Sequence, residues 1–193
     1  SYMGSTNGFS YSGYGGGGAG HSGNVDKLVF ATEADSTDIG DMSVGRQAWG
    51  ACSSSSEGFA AGGYRDYPPA QTHTIIDKLS FSSGGTMSDH GDIIVRRQSL
   101  TGSSDSAYGY LAVGYLWAWD GGSGSANYSD VQRFAFSSNT TASDIGDLIT
   151  NNGAAAGHTD ATNSAAFVAG GAYGGSQVSD VNRYTQASSL TAN

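Results

Sequence analysis

This 193-residue chain is poor in basic residues, in charge of either sign and in cysteine. The single cysteine, Cys52, rules out an intrachain disulfide. It sits beside a serine run and reads as a small half-buried residue rather than a reactive thiol. Eight Lys and Arg stand against 17 Asp and Glu, a formal net charge of −9. A phosphate backbone is held by clustered cations, and the only adjacent pair here is Arg96-Arg97. Nucleic acid is therefore not an expected partner, and an anionic membrane surface is disfavoured for the same reason. No apolar run approaches the ~20 residues of a membrane-spanning helix, so no membrane insertion is expected. Nothing like a leader peptide follows Ser1. The chain is expected to be either a processed protein or a section of a longer one. Only 13% of residues are charged, which leaves few of the Lys and Glu that helices favour.

Glycine is abundant instead, with 31 residues. Eleven Tyr and seven Phe, together with Ile and Val, favour strands. A hydrophobic content of 37% suffices for a core. These features predict an all-β fold.

The sequence repeats. The aromatics Phe9, Phe59, Tyr110 and Phe167 sit in similar small-residue stretches, "GFSYSG", "GFAAGG", "GYLAVG" and "AFVAGG", at steps of 50, 51 and 57 residues. In the same register "VDKLVF" at 25–30 becomes "IDKLSF" at 76–81, "VQRFAF" at 131–136 and "VNRY" at 181–184. "DIGDM" at 38–42 becomes "DHGDI" at 89–93 and "DIGDL" at 144–148. Arg46-Gln47 becomes Arg97-Gln98, with Asn152-Gly153 as a departure. Each repeat divides into four parts with strand chemistry: in the second, "RQAWGACSSSS" (46–56), "GFAAGGY" (58–64), "IIDKLSFSS" (75–83) and "GDIIV" (91–95). "IDKLSF" alternates, with Ile76, Lys78 and Ser80 on one face and Asp77, Leu79 and Phe81 on the other. "GFAAGG" is small and apolar throughout, as a strand covered on both faces must be.

Four strands per repeat of this length predict propeller-type blades. The chain reads as a single repeat domain, 1–193: a partial blade 1–44, blades 46–95 and 97–150, and a partial blade 151–193. The "GFAAGG" strands are expected to line a crowded axis. Gly62, Gly63, Gly170 and Gly171 are expected at close-packed or positive-φ positions. The sequence leaves open a closed four-bladed ring, an open array, a three-sheet prism and an assembly completed by partner chains.

The order "RQAWGAC…GFAAGG…IIDKLSF" resembles the kelch repeat. That family has an Arg-containing first strand, a second strand ending in Gly-Gly and an amphipathic third strand. Its fourth-strand Trp is replaced here by "GDIIV" and "GDLIT", so the likeness is to a kelch-like repeat. The Ser/Gly-rich form with "DIGD" also resembles the divergent arrays of viral tail-fibre and appendage proteins. The resemblance spans the whole chain. It implies a fold and no particular activity, because propellers host unrelated functions.

The candidate chemistry is sparse. "GYGGGG" (13–18) has the spacing of a dinucleotide fingerprint, but a strand follows where a helix is required, so it reads as a loop. No cofactor is implied. The D-x-G-D units offer too few oxygens for calcium and read as turns, with the first Asp accepting backbone N–H and the Gly at positive φ. Asp41 and Arg46, like Asp92 and Arg97, are five residues apart and are expected to form structural ion pairs across the crossover between repeats. His21, His73, His90 and His158 occupy different repeat positions, and no metal site is implied. No Ser/His/Asp arrangement stands out, and the chain is not expected to be an enzyme.

The segment between the second and third strands varies most, from "YRDYPPAQTHT" (64–74) to "YLWAWDGGSGSANY" (115–128). Tyr115, Trp117, Trp119 and Tyr128 could stack on sugar rings, with Asp120 and Asn127 bonding hydroxyls. Alternatively, these rings cover a neighbouring blade or subunit. The leading expectation is a structural or adhesive repeat protein, extracellular or on a virion surface, partnered by other protein chains as a homo-oligomer or larger assembly. The alternatives are a module binding cell-surface glycan through 115–128, and a kelch-like adaptor.

Overall fold

The structure, a computed structural model, describes residues 2–3, 6–11, 22–32, 34–65, 71–116, 125–160, 162, 164–173, 175–186 and 189–190. Every strand pairs antiparallel and the described residues contain no helix. The first sheet comprises β1 (Tyr2–Met3), β2 (Asn7–Tyr11), β3 (Asn24–Val29) and β4 (Thr37–Asp41), in that order. The second repeat supplies β5 (Gly50–Ser53), β6 (Glu57–Ala61), β9 (Ile75–Ser80) and β10 (Ser88–Asp92) as a meander, with a small ribbon of β7 (Tyr64–Arg65) and β8 (Gln71–Thr72) between its middle strands. The third repeats this plan with β11 (Thr101–Ser104), β12 (Tyr108–Ala112), β15 (Asp130–Ala135) and β16 (Ser143–Asp147). Its ribbon is β13 (Tyr115–Leu116) and β14 (Ala126–Asn127). The fourth sheet has three strands, β17 (Ala156–Asp160), β18 (Ala165–Ala169) and β21 (Val181–Thr185), with a ribbon of β19 (Ala172–Tyr173) and β20 (Ser176–Gln177).

The stretch 1–44 forms a four-stranded sheet whose first strand is only two residues long. Two expectations are corrected. The fourth strand of the second repeat is "SDHGD", not "GDIIV", so the D-x-G-D unit lies within the strand and ends it. The "GFAAGG" strand does not line an axis. It runs second in its sheet, paired on both edges by β5 and β9. The first strands β5, β11 and β17 approach one another instead. A Cβ on Gly102 would overlap the carbonyl of Ala51, and one on Gly157 would overlap the Thr101 hydroxyl. The two-faced burial of "GFAAGG" does hold, with Gly58 to Ala61 all buried.

The sheets stack face to face. The face of the first sheet carrying Phe9, Tyr11 and Val25 packs on Ala60 and Leu79 of the second. The opposite face of the second, with Phe59, Ala61 and Ile76, packs on Leu111 and Phe134 of the third. Tyr110, Ala112 and Val131 then pack on Ala166 and Tyr184 of the fourth. An aromatic stack marks the first two steps: Phe9 on Phe81 at 4.7 Å and Phe59 on Phe136 at 4.8 Å, each with ring planes 15° apart.

Backbone hydrogen bonds knit the same steps. Gly63 N–H donates to Arg97 O and Gly114 N–H to Asn152 O, both at 2.9 Å. Ser99 N–H donates to Ala48 O and Ala154 N–H to Ser99 O. Ala48, Ser99 and Ala154 hold left-handed conformations, at φ 56°, 57° and 56°. At the outer edge, the expected turn chemistry of D-x-G-D is present. Asp38, Asp89 and Asp144 each accept the N–H of the glycine two residues on. That glycine bulges the strand and meets the next repeat, Gly40 against Gly85 and Gly91 against Thr140 in its hairpins and Gly146 against Leu190 after β21.

Candidate functional site

The ribbons arise because each second strand ends in residues that turn the chain out of the sheet. Gly62 and Gly63 have φ of 64° and 99°, and Gly170 and Gly171 have 66° and 108°, the left-handed geometry expected of them. Close packing holds for three of the four. A Cβ would lie 2.6 Å from Arg97 O at Gly62, 2.8 Å from Gln47 O at Gly63 and 2.6 Å from Gly153 O at Gly171, but 3.7 Å from its nearest neighbour at Gly170.

The base of each ribbon is clamped twice. Tyr64 bridges to Gln47, Tyr115 to Gln98 and Ala172 to Gly153. The returning chain donates at His73 to Gly63 O, at Tyr128 to Gly114 O and at Val178 to Gly171 O.

Buried ion pairs brace these bases from beneath, though not the pairs expected. Arg46 is fully buried. Its Nη1 lies 2.7 Å from Oδ2 of Asp77, its Nε donates to Gly62 O and its Nη2 to Ala60 O. Arg97 forks onto both oxygens of Asp130 and also donates to Val113 O. The partners thus lie on the third strand of the same repeat, not five residues upstream. Asp41 is exposed, and Asp92 instead accepts the Thr74 hydroxyl at 2.6 Å. Desolvation pushes the Asp130 carboxyl up, but the Arg97 hydrogen bonds and charge, with Gln132, hold it below the usual aspartate range. Where the third pair is lost, Asn152 is also fully buried and donates to Gly170 O at 2.7 Å.

Three of the six ligand candidates are described. Tyr115 packs its ring against Gly153 of the next repeat. Tyr128 covers Arg97, whose guanidinium carbon lies 4.5 Å from the ring centroid. Both are thus partly framework residues. Asn127 is half-buried and faces a cleft. Trp117, Trp119 and Asp120 lie outside the described residues, as do His21 and the loop 13–18. The cleft, about 520 Å³, runs between ribbon β13–β14 and ribbon β19–β20 and is lined by Leu116, Ser125, Asn127, Ala154 and Ala172. Among the described residues that line it, only Tyr115 is ionisable. A shallower depression of about 300 Å³, lined by Ile149, Thr150, Asn151, Tyr173 and Val178, includes residues of the β19–β20 ribbon and of the crossover before it. The sequence pointed to the ribbon but not to the neighbouring repeat's share of the cleft, because Gly153 and Ala154 carry no recognisable chemistry.

The buried titratable groups are committed to packing. His90 Nε2 lies 2.9 Å from Ala135 O, its ring between Phe59 and Phe134. Burial pushes the Cys52 thiol up and raises Tyr184 to about 12, its hydroxyl bonded to Ser103. Among the described residues, no three of His, Cys, Asp and Glu are grouped to hold a metal.

In sequence the chain matches no family model and no curated protein. In structure it is similar to YjhT, with a TM-score of 0.76 at 13% identity. The match covers 93% of this chain and 60% of that one, so the chain spans about three fifths of the length of the protein it resembles.

Proposed function

We propose that the chain is a non-enzymatic adhesive repeat protein. In this reading it is a kelch-like, propeller-type array displayed outside cells as part of a viral fibre or appendage and assembled with other protein chains. The observation that carries this reading is the division of labour within each repeat. Glycine turns and backbone bonds between sheets recur from repeat to repeat, with buried Arg–Asp pairs in two of them, while the ribbons they clamp differ in length and composition. A constant framework presenting variable loops is the form of a recognition scaffold. The Ser/Gly-rich, charge-poor surface fits a protein working outside cells. The test is binding of the chain to intact cells, with the 117–124 segment of the ribbon replaced by Gly-Ser. Loss of binding with an unchanged β-sheet spectrum is expected. Binding that survives makes the ribbon mere packing.

The cleft favours a second reading, a glycan-binding module. Its described lining carries no charged group and offers Asn127 and Ser125 as hydrogen-bonding groups and Tyr115 as a flat wall, a lining suited to a neutral sugar. Glycan-array binding that is lost in Asn127→Ala and in Trp117→Ala/Trp119→Ala supports this reading. An array without signal removes it.

A further inference from the structure

Among the described residues, each of the two middle sheets is covered on both faces and each of the two outer sheets on one. We infer that the outer face of the fourth sheet docks on the outer face of the first sheet of a second copy, head to tail. This sharpens the assembly part of the reading above, and its test involves no ligand, so its failure leaves the adhesive role standing.

The argument rests on a packing rule that holds three times within the chain. One face of each sheet, carrying Phe9, Phe59 or Tyr110 and Val25, Ile76 or Val131, seats on the opposite face of the next. That opposite face carries Leu79, Phe134 or Tyr184, exposed by 1%, 2% and 4%. The counterpart of these residues on the first sheet is Leu28, which is 42% exposed, with Phe30 beside it at 48%. On the fourth sheet the counterpart of Ile76 and Val131, both fully buried, is Val181, which is 66% exposed. The two exposed faces thus carry residues that match as those of adjoining sheets do within the chain.

Specific partners are left over in matching places. Phe81 and Phe136 receive Phe9 and Phe59 in the recurring stack. Phe30 occupies the same repeat position as Phe81 and Phe136, and Phe167 the position of Phe9 and Phe59. Neither Phe30 nor Phe167 has a ring partner among the described residues.

A polar device behaves likewise. Asp77 accepts Ser43 Oγ of the preceding repeat at 2.8 Å, Gln132 accepts Ile94 N–H at 2.8 Å, and Asn182 donates to Thr150 Oγ1 at 3.2 Å. The first repeat's equivalent, Asp26, has no such partner among the described residues. The exposed Arg183 on the fourth sheet gives the tail face a positive charge, and Asp26 gives the head face a negative one. An interface between two different patches repeats, closing into a ring or growing as a filament.

Sedimentation of the 193-residue chain tests this with Phe30→Asp on the head face and Val181→Asp on the tail face. Both side chains are exposed in the single copy, so circular dichroism and melting should match the unaltered chain. The unaltered chain should gain mass with concentration. Each variant alone should associate roughly a hundredfold more weakly, because docking would bury an unpaired charge. Mixed in equal amounts, the two variants should form a two-chain complex and stop there, since one intact head meets one intact tail. Three outcomes overturn the inference: an unaltered chain that stays monomeric at all concentrations, a single variant that associates undiminished, or folded variants that fail to complement each other.

Discussion

Arg46 and Asp77, 31 residues apart, form a fully buried ion pair at 2.7 Å whose guanidinium also ties down the carbonyls of Ala60 and Gly62. Breaking one side leaves the other charge uncompensated. Arg46→Ala is expected to destabilise the chain by about 3–5 kcal/mol in denaturant unfolding, while Arg46→Met with Asp77→Leu should recover most of that loss. Equal losses in the single and double variants would mean that the carbonyl contacts, not the charge pair, dominate.

The glycines at positive φ separate strain from collision. Gly91, at φ 127°, would drive a Cβ into the carbonyl of Thr140, whereas Gly85, at φ 93°, has open space around it. Gly85→Ala should cost about 1 kcal/mol from backbone strain, and Gly91→Ala at least about 3 kcal/mol. Thermal melts of both variants check the order.

Asp130 makes part of the stability depend on acid. Its folded pKa lies below the ordinary 3.8, since Arg97 outweighs desolvation. A group depressed on folding contributes fully above its unfolded pKa and loses that contribution as pH falls through the folded value. Asp130→Asn should therefore reduce stability at neutral pH and flatten its decline below about pH 4. Unfolding midpoints from pH 7 to pH 2.5, compared with the unaltered chain, test this. Parallel curves would exclude Asp130 as the source.

Ala48, Ser99 and Ala154 form a series of left-handed non-glycine residues at one repeat position. Such a conformation costs roughly 1–2 kcal/mol for an L-residue. Ala48→Gly should thus raise stability by up to about 1 kcal/mol, offset by the extra freedom of glycine when unfolded. A lowered melting temperature would show that the Ala48 methyl contributes more packing than the strain it carries.

Those three residues also mark where sequence reasoning stops. "RQA", "RQS" and "NGA" show that the position recurs, but nothing in Ala or Ser signals φ near 56°. The strand content, the repeat register, the Gly-Gly turns and the contact from Asp to the glycine N–H in D-x-G-D were legible, because each depends on residue chemistry acting within a few positions; that this unit bulges a strand instead of turning between strands was not. The Arg46 and Arg97 partners were not, since two aspartates fit by spacing and only the three-dimensional pairing of strands selects Asp77 and Asp130. The place of "GFAAGG" was misread for a related reason. Smallness shows that a strand is crowded, not whether its neighbours belong to the same sheet or the next. The cleft was half legible: its ribbon stood out, and its floor of Gly153 and Ala154 did not.

The double clamp at each ribbon base has a practical consequence. The chain leaves the framework at Gly63, Gly114 or Gly171 and rejoins it at His73, Tyr128 or Val178 through the same bonds, whatever length lies between. Sequence beyond the clamp is therefore uncoupled from strand register, and foreign peptides spliced between Leu116 and Ala126 should be displayed without disturbing the fold beneath.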